Sequence, residues 1–271
     1  MCHACVTESV KRRMLSRRDL FRAAPAVAAG AALGTSALPA MAASPGRVED
    51  LTHEIHPEFP TYFGAPGLAT RQEFNFADHG FNLLELSVNE HTGTHIDAPL
   101  HFSEDGNDVS AIPVGDLVAP LAVVDIREKA EADDEAMVTP DDLKAWIAAN
   151  GDLPERCCVA MLSGWERHLG TPKFRNADAD GTQHYPGFHP EAAQMLIEEA
   201  SCIGIASDTL SLDIGSSTTF ETHYAWLPTN RWGLENVAGL DRLPAAGATL
   251  IVGAPKHRGG TGGPARVMAL V

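Results

Sequence analysis

The chain has 271 residues, with 20 basic against 36 acidic side chains and a formal net charge of −16. A surplus of that size excludes a nucleic-acid partner and an anionic membrane surface. Hydrophobic residues make up 44%, which supports a sizeable core and excludes global disorder.

Residues 1–42 read as a twin-arginine export signal. Lys11, Arg12 and Arg13 supply basic charge, and Arg17-Arg18 sits in Ser16-Arg17-Arg18-Asp19-Leu20-Phe21. An Ala/Gly-rich apolar run follows, then Ala40-Met41-Ala42, a small-x-small cleavage site. Pro25 and Pro39 break that run, so it is expected to be cleaved and to leave no membrane anchor. The mature domain is expected to span 43–271 and to be periplasmic or secreted. Of the five cysteines, Cys2 and Cys5 fall in the signal. The odd count with one adjacent pair, Cys157-Cys158, makes no disulfide framework, and those two read as small core residues.

In the mature chain, 48–56 reads as a first strand. Pro57, Pro60, Gly64, Pro66 and Gly67 mark an irregular loop after it. Phe59, Tyr62 and Phe63 in that loop suit either core plugs or the wall of a pocket for a flat substrate. Residues 71–76 and 81–88 alternate apolar and polar around Asp78-His79-Gly80, the pattern of a hairpin.

The hairpin feeds into His91-Thr92-Gly93-Thr94-His95-Ile96-Asp97-Ala98-Pro99-Leu100-His101-Phe102. Thr92, Gly93, Thr94 and Pro99 disfavour a helix. In an extended chain, alternation places His91, His95 and Asp97 on one face, with Gly93 leaving space among them. Two imidazoles and a carboxylate converging on a gap make a divalent-metal site. His101 lies four residues beyond Asp97. It suits a proton-shuttling acid/base, or else a fourth metal ligand.

Beyond this stretch, 121–126 reads as a buried strand and 128–135 as a solvated acidic loop. Thr139-Pro140-Asp141-Asp142 starts a helix that runs to about 149, where Asn150-Gly151 ends it. Residues 157–162 read as another buried strand. Residues 164–188, rich in Gly, Pro, His and aromatics, make a long loop with a functional role. Its histidines His168 and His184, with His189, read as surface or capping residues. A second helix starts at Pro190, with Ala193, Leu196, Ile197 and Ala200 on one face. A strand at 202–206 leads into Ser207-Asp208-Thr209-Leu210-Ser211-Leu212-Asp213, whose acids suit the orientation of metal-bound histidines or a plain turn. His223 and Glu235 follow. Strands at 248–252 and 266–271 close the chain around a Gly-rich turn at 259–263, which lacks the Lys-Ser/Thr of a P-loop. The expected architecture is α/β, a single compact domain with a mixed or antiparallel sheet curled towards a barrel.

The 91–102 stretch, the Asp208-Thr209-x-Ser211-x-Asp213 turn and the His223…Glu235 pair together resemble the cyclase family of metal-dependent hydrolases. This family includes bacterial kynurenine formamidases and isatin hydrolases. The resemblance implies the family's swivelling β/β/α fold, usually as a homodimer or larger assembly. It implies a first metal on His91, His95 and Asp97, a second on Asp97, His223 and Glu235, and His101 as the acid/base. Zinc, one ion or two, or manganese is the implied cofactor. The implied reaction is hydrolysis of a non-peptide carbon–nitrogen bond in a small aromatic or cyclic amide, formamide or lactam, by hydroxide generated at the metal. Export sits poorly with a role in tryptophan catabolism, whose substrate is cytosolic. Two other readings are open: an exported metal-binding protein without catalysis, and a lyase using the metal as Lewis acid. No Gly-x-Ser-x-Gly nucleophile motif occurs.

Overall fold

A computed structural model describes residues 46–271, so the expected export signal, Cys2 and Cys5 lie outside the described residues. The strands of the first half are β1 (Val48–Asp50), β2 (Leu68–Phe74), β3 (Leu83–Val88), β4 (His95–Asp97), β5 (Val118–Asp125) and β6 (Met137–Val138). The second half adds β7 (Cys158–Leu162), β8 (Gly187–Phe188), β9 (Gly204–Ser207), β10 (Trp232–Glu235), β11 (Ala248–Gly253), β12 (Gly262–Pro264) and β13 (Arg266–Leu270). The helices are α1 (Phe76–His79), α2 (Arg127–Ala132), α3 (Pro140–Asn150), α4 (Pro190–Glu198) and α5 (Glu221–Trp226).

Nine strands form one sheet in the order β1-β13-β11-β5-β7-β9-β10-β4-β12. The run β5-β7-β9-β10 is parallel, and every other pairing is antiparallel. The sheet is strongly curled, a half-barrel. Only Ala265 separates β12, at one margin, from β13, one strand in from the other margin. A single extended segment can serve both ends only if they curve towards each other.

Alternation along the central strands sorts the side chains onto two faces. Leu121, Val123, Cys158, Ala160, Leu162 and Ala206 fill the inside of the curl with Ile96, Leu234 and Val267. Ala122, Val124, Val159, Met161 and Ile205 point outward and meet Leu143 and Trp146 of α3 and Ala192, Ala193 and Leu196 of α4. Helix α3 has the expected start: Thr139 Oγ1 accepts from Asp142 N, and the Asp142 carboxylate accepts from Thr139 N. Helix α4 ends at Glu198, two residues before Ala200, and His189 caps its start by accepting from Glu191 N. Cys157 and Cys158 point to opposite faces, and Cys157 Sγ lies 3.4 Å from Cys202 Sγ in the core.

Four expectations are corrected. The first strand stops at Asp50, after which Thr52 only bridges to Val237. The acidic stretch 128–135 is a loop only from Asp133 on. Its first part lies in α2, because Ala130 is buried against the sheet and anchors the turn. The 71–88 hairpin forms, but as a separate two-stranded sheet closed by helix α1 rather than by a tight turn. The 259–263 glycines are more than a turn: Gly262 opens β12, which lies beside β4.

The long 164–188 segment packs Trp165, Phe174 and Tyr185 with Leu210 into a small core of its own. Arg175 and Gln183 donate to the Tyr62 carbonyl, so this segment holds the 57–67 loop in place. Its entry is clamped by buried Asp208, which accepts from the backbone N–H groups of Ser163, Gly164 and Trp165 and from the Ser163 hydroxyl. Burial pushes that carboxyl up to about 6, against the donors that favour its charge.

Candidate metal centre

Strand β4 places His95 and Asp97 on one face, as alternation requires. Its neighbour β10 runs antiparallel, with Glu235 opposite His95 and Gly233 opposite Asp97. A carboxylate 140 residues away in sequence thus arrives beside the first two candidate ligands through sheet register alone. Helix α5 supplies His223. His101 sits in a short 3-10 turn, Pro99–Phe102, started by Pro99. All six residues singled out in the sequence converge on one region, and all but Asp97 line one cavity.

His91 arrives differently from the expectation. The chain from 91 to 94 is bent, and only His95–Asp97 is a strand. Gly93 is needed for its left-handed backbone, φ 66°, rather than for space, since a Cβ there would find ordinary contact with Ile55 at 3.6 Å.

The outer nitrogens fix how the rings face. Thr261 Oγ1 donates its one proton to Glu90 Oε2 at 2.6 Å, so it must accept from His91 Nε2–H at 2.9 Å. His95 Nδ1 donates to the Gly93 carbonyl at 2.8 Å, and His223 Nδ1 donates to Asp213 Oδ2 at 2.5 Å. The inner nitrogens then turn to the carboxylates. His91 Nδ1 lies 2.7 Å from Asp97 Oδ1, and His95 Nε2 lies 3.4 Å from the same oxygen and 3.3 Å from Glu235 Oε2. His223 Nε2 lies 3.2 Å from Glu235 Oε1 and 3.6 Å from Asp97 Oδ2.

Ligands at 2.0–2.2 Å from one cation stand about 3–3.4 Å apart, close to these spacings. Buried His95 Nε2 and Asp97 Oδ2 have no hydrogen-bond partner. Lone pairs and negative charge facing one another in a dry site fit a divalent cation. Two ligand-spaced trios share Asp97: His91-Asp97-His101 and His95-Asp97-Glu235. This division differs from the one the family resemblance implies, because His101 stacks on His91 with ring centroids 3.8 Å apart.

The electrostatics also call for positive charge. Burial opposes charge on His95, but the adjacent carboxylates of Asp97 and Glu235 outweigh it and raise the ring to about 10. His223 is raised likewise by Asp213, Asp97 and Glu235. Asp97 and Glu235 are held below the usual carboxylate range despite their burial, by the imidazoles around them. His101 goes the other way: burial lowers it to about 4, leaving a neutral ring at physiological pH.

A pH dependence follows for the metal-free protein. A raised histidine contributes stability that is fully present below its unfolded pKa of 6.5 and is lost as pH rises. Metal-free protein should therefore lose thermal stability between pH 6.5 and about 10. Metal-loaded protein, whose ligands are already deprotonated, should lose none of it. Melting curves across that range, with and without chelator, check this.

Three supporting features were not legible in the sequence. A Cβ on Gly233 would lie 3.3 Å from Asp97 Oδ2 and 2.7 Å from Leu212, and one on Gly262 would lie 2.9 Å from His91 Cε1. Thr261 orients His91 from 170 residues away. Asp213, one of two candidates for an orienting acid, does hold a histidine. It also accepts from the backbone N–H of Thr222 and His223. Asp208 is the other, and it clamps the 163–165 loop instead. Asp213→Asn is expected to weaken metal affinity by ~10–100-fold with little change in fold, measured by competition against a chelator.

The cavity above the candidate ligands has a volume of about 280 Å³. Tyr62, Phe63, Phe102 and Phe220 wall it. Phe59 is instead a core plug, 2% exposed and edge-on to Phe174. The loop aromatics thus divide between both roles. The space suits a flat aromatic molecule with one polar edge turned to the histidines.

The family model described as "Putative cyclase" matches residues 49–214. An isatin hydrolase of Roseibium aggregatum is 36% identical over 196 residues, 69% of this chain and 73% of that protein. A kynurenine formamidase of Salinibacter ruber is 27% identical over 194 residues, 72% of this chain and 82% of that protein. Among solved structures, isatin hydrolase A from Labrenzia aggregata, bound to benzyl benzoate, superposes with a TM-score of 0.78 at 35% identity. That match covers 83% of this chain and 93% of the other. The matched segment begins at β1 and carries four of the six converging residues in the positions just described, and on that ground the chain belongs to the cyclase family of metal-dependent hydrolases.

Proposed function

We propose that the protein hydrolyses the carbon–nitrogen bond of a small aromatic cyclic amide, an isatin-like lactam. The observation that carries this is the meeting of inward-facing ligand nitrogens and carboxylates with an aromatic-walled cavity of small-molecule size. The greater likeness to an isatin hydrolase than to a kynurenine formamidase supports the lactam over the formamide. Zinc or manganese, as one ion or two sharing Asp97, suits the mixed nitrogen and oxygen donors. Such a cation would polarise the amide carbonyl and lower the pKa of a water from 15.7 towards ~7.

The chain's own residues do the rest. Tyr62, Phe102 and Phe220 bind the ring and exclude water. Neutral His101, at the cavity wall, accepts a proton from the attacking water and returns it to the departing nitrogen. A storage site would need no such base, which favours an enzyme over a metal buffer. Purified protein should be stripped, reloaded with zinc or with manganese, and assayed on isatin and on N-formylated anilines. Ring opening of isatin is expected. Turnover of the formamides alone would favour an arylformamidase, and turnover of neither would refute the proposal.

The protein is further proposed to act outside the cytoplasm. No helix among the described residues is long and apolar enough to cross a membrane. Arg17→Lys with Arg18→Lys is expected to trap the precursor in the cell, read by fractionation and immunoblot.

A further inference from the structure

We propose that Glu90, locked by His257, is a positioning residue that fixes which nitrogen of His91 faces the metal centre. This rests on the reading of the converging side chains as a metal site. It gives a role to the Gly-rich stretch His257-Arg258-Gly259-Gly260-Thr261-Gly262, which the proposed reaction leaves unused. An ionised carboxylate can only accept hydrogen bonds. Glu90 Oε2 takes both donors of Thr261, the backbone N–H at 3.1 Å and the hydroxyl at 2.6 Å. Its other oxygen, Oε1, accepts from His257 Nε2. The Thr261 hydroxyl proton is thereby committed to Glu90, and only its lone pairs are left for His91. His91 then carries a proton on Nε2, outward, and turns Nδ1 to Asp97. Without the carboxylate, the hydroxyl can turn round and donate to His91 Nε2. The ring proton of a neutral His91 then sits on Nδ1, where a cation needs a lone pair.

The backbone is shaped around these contacts. A Cβ on Gly260 would lie 2.2 Å from His257 Nε2, so the glycine lets that ring fold back onto Glu90. Thr261 thus stands between two glycines, Gly260 clearing His257 and Gly262 clearing His91. The stretch is also held by bonds that involve neither Glu90 nor His257. Ala98 N donates to Thr261 O at 2.8 Å, Val109 N to Gly260 O at 2.9 Å, and Gly259 N to Asp108 Oδ2 at 2.6 Å. Loss of the Glu90 side chain therefore leaves Thr261 in place and frees only its hydroxyl. Because His101 stacks on His91, the contacts that pin His91 also set the platform of the proposed proton carrier.

The test is competition for zinc between the purified protein and a chromophoric chelator. Glu90→Ala is expected to weaken zinc binding by ~10–100-fold. Glu90→Gln should recover most of that loss, because the amide can turn its oxygen to Thr261 and its N–H₂ to His257. Thr261→Val should cost as much as Glu90→Ala, and the double variant no more than either, since both act through one hydroxyl. In zinc-loaded protein, nitrogen-15 NMR should show a His91 Nε2–H that exchanges slowly with water in the wild type and rapidly in Glu90→Ala. If Glu90→Ala does not fold, Gly260→Ala serves instead. Gly260 is outside the left-handed region, so alanine adds no backbone strain but drives His257 off Glu90. A smaller loss of zinc affinity is then expected. Wild-type affinity in the variant that folds, no recovery in Glu90→Gln, or additive losses in the double variant overturns the proposal. A wild type that binds neither zinc nor manganese removes the metal centre and this inference with it. No substrate enters the measurement, so failure to open isatin would refute the proposed reaction alone.

Discussion

Asp97→Asn is expected to leave the protein folded but without stoichiometric metal and without measurable turnover. Asp97 is the one residue common to both ligand-spaced trios, and its two oxygens face three imidazoles. The amide keeps the shape but replaces one acceptor oxygen by an N–H₂ donor aimed at a lone pair or at the cation. The loss in affinity should exceed the ~10–100-fold that removal of an outer orienting partner costs. Elemental analysis of the purified variant beside the wild type measures it directly. Stoichiometric metal in Asp97→Asn would mean that the centre is built elsewhere. The substitution should also lower the pKa of His95, since Asp97 heads the partners that hold that ring up against its burial. The alkaline stability loss of the metal-free protein should then begin at lower pH.

His101→Ala is expected to lower kcat by ~10²–10⁴-fold, about 3–5 kcal/mol of barrier. The affinity for an inert aromatic amide should change far less, because Tyr62, Phe102 and Phe220 still wall the cavity. His101 stacks on His91 and belongs to one ligand-spaced trio, so the variant's metal content decides its role. Retained metal with lost turnover identifies a proton carrier; lost metal identifies a ligand. The pH profile gives a second reading. Burial lowers His101 to about 4, so the neutral ring a base requires is present above that pH and is lost as pH falls through it. An acid limb well below the ordinary histidine value of 6.5, absent in the variant's residual activity, is the expected signature.

Much of this site was legible before any coordinates, because its densest part is local. His95-x-Asp97 is set by the two-residue period of a strand, and that period holds in β4. The Thr139 cap, with Pro140 and Gly151, marked helix α3 almost to the residue, since capping is satisfied within four positions. Where contacts beyond a few residues decided the outcome, the reading was wrong or open. The first part of the acidic run at 128 became a helix through one buried alanine. The glycines at 259–263 became part of an edge strand, where Gly262 lies beside β4 with no side chain to press on His91. Phe59 and Tyr62, three residues apart, went to core and cavity respectively.

By itself, the sequence determined which candidate ligand types are present, the chemistry they permit, and the strands and helices whose patterns repeat within a turn or a pleat. Only the tertiary structure decided which nitrogen of each ring faces inward, since that depends on the acceptor behind it. Thr261 and Asp213 reach their histidines from 170 and 10 residues away. It also decided the register that sets Glu235 opposite His95 and leaves a glycine opposite Asp97. Strand pairing aligns residues through backbone hydrogen bonds between distant segments, and no pattern within either segment encodes that alignment.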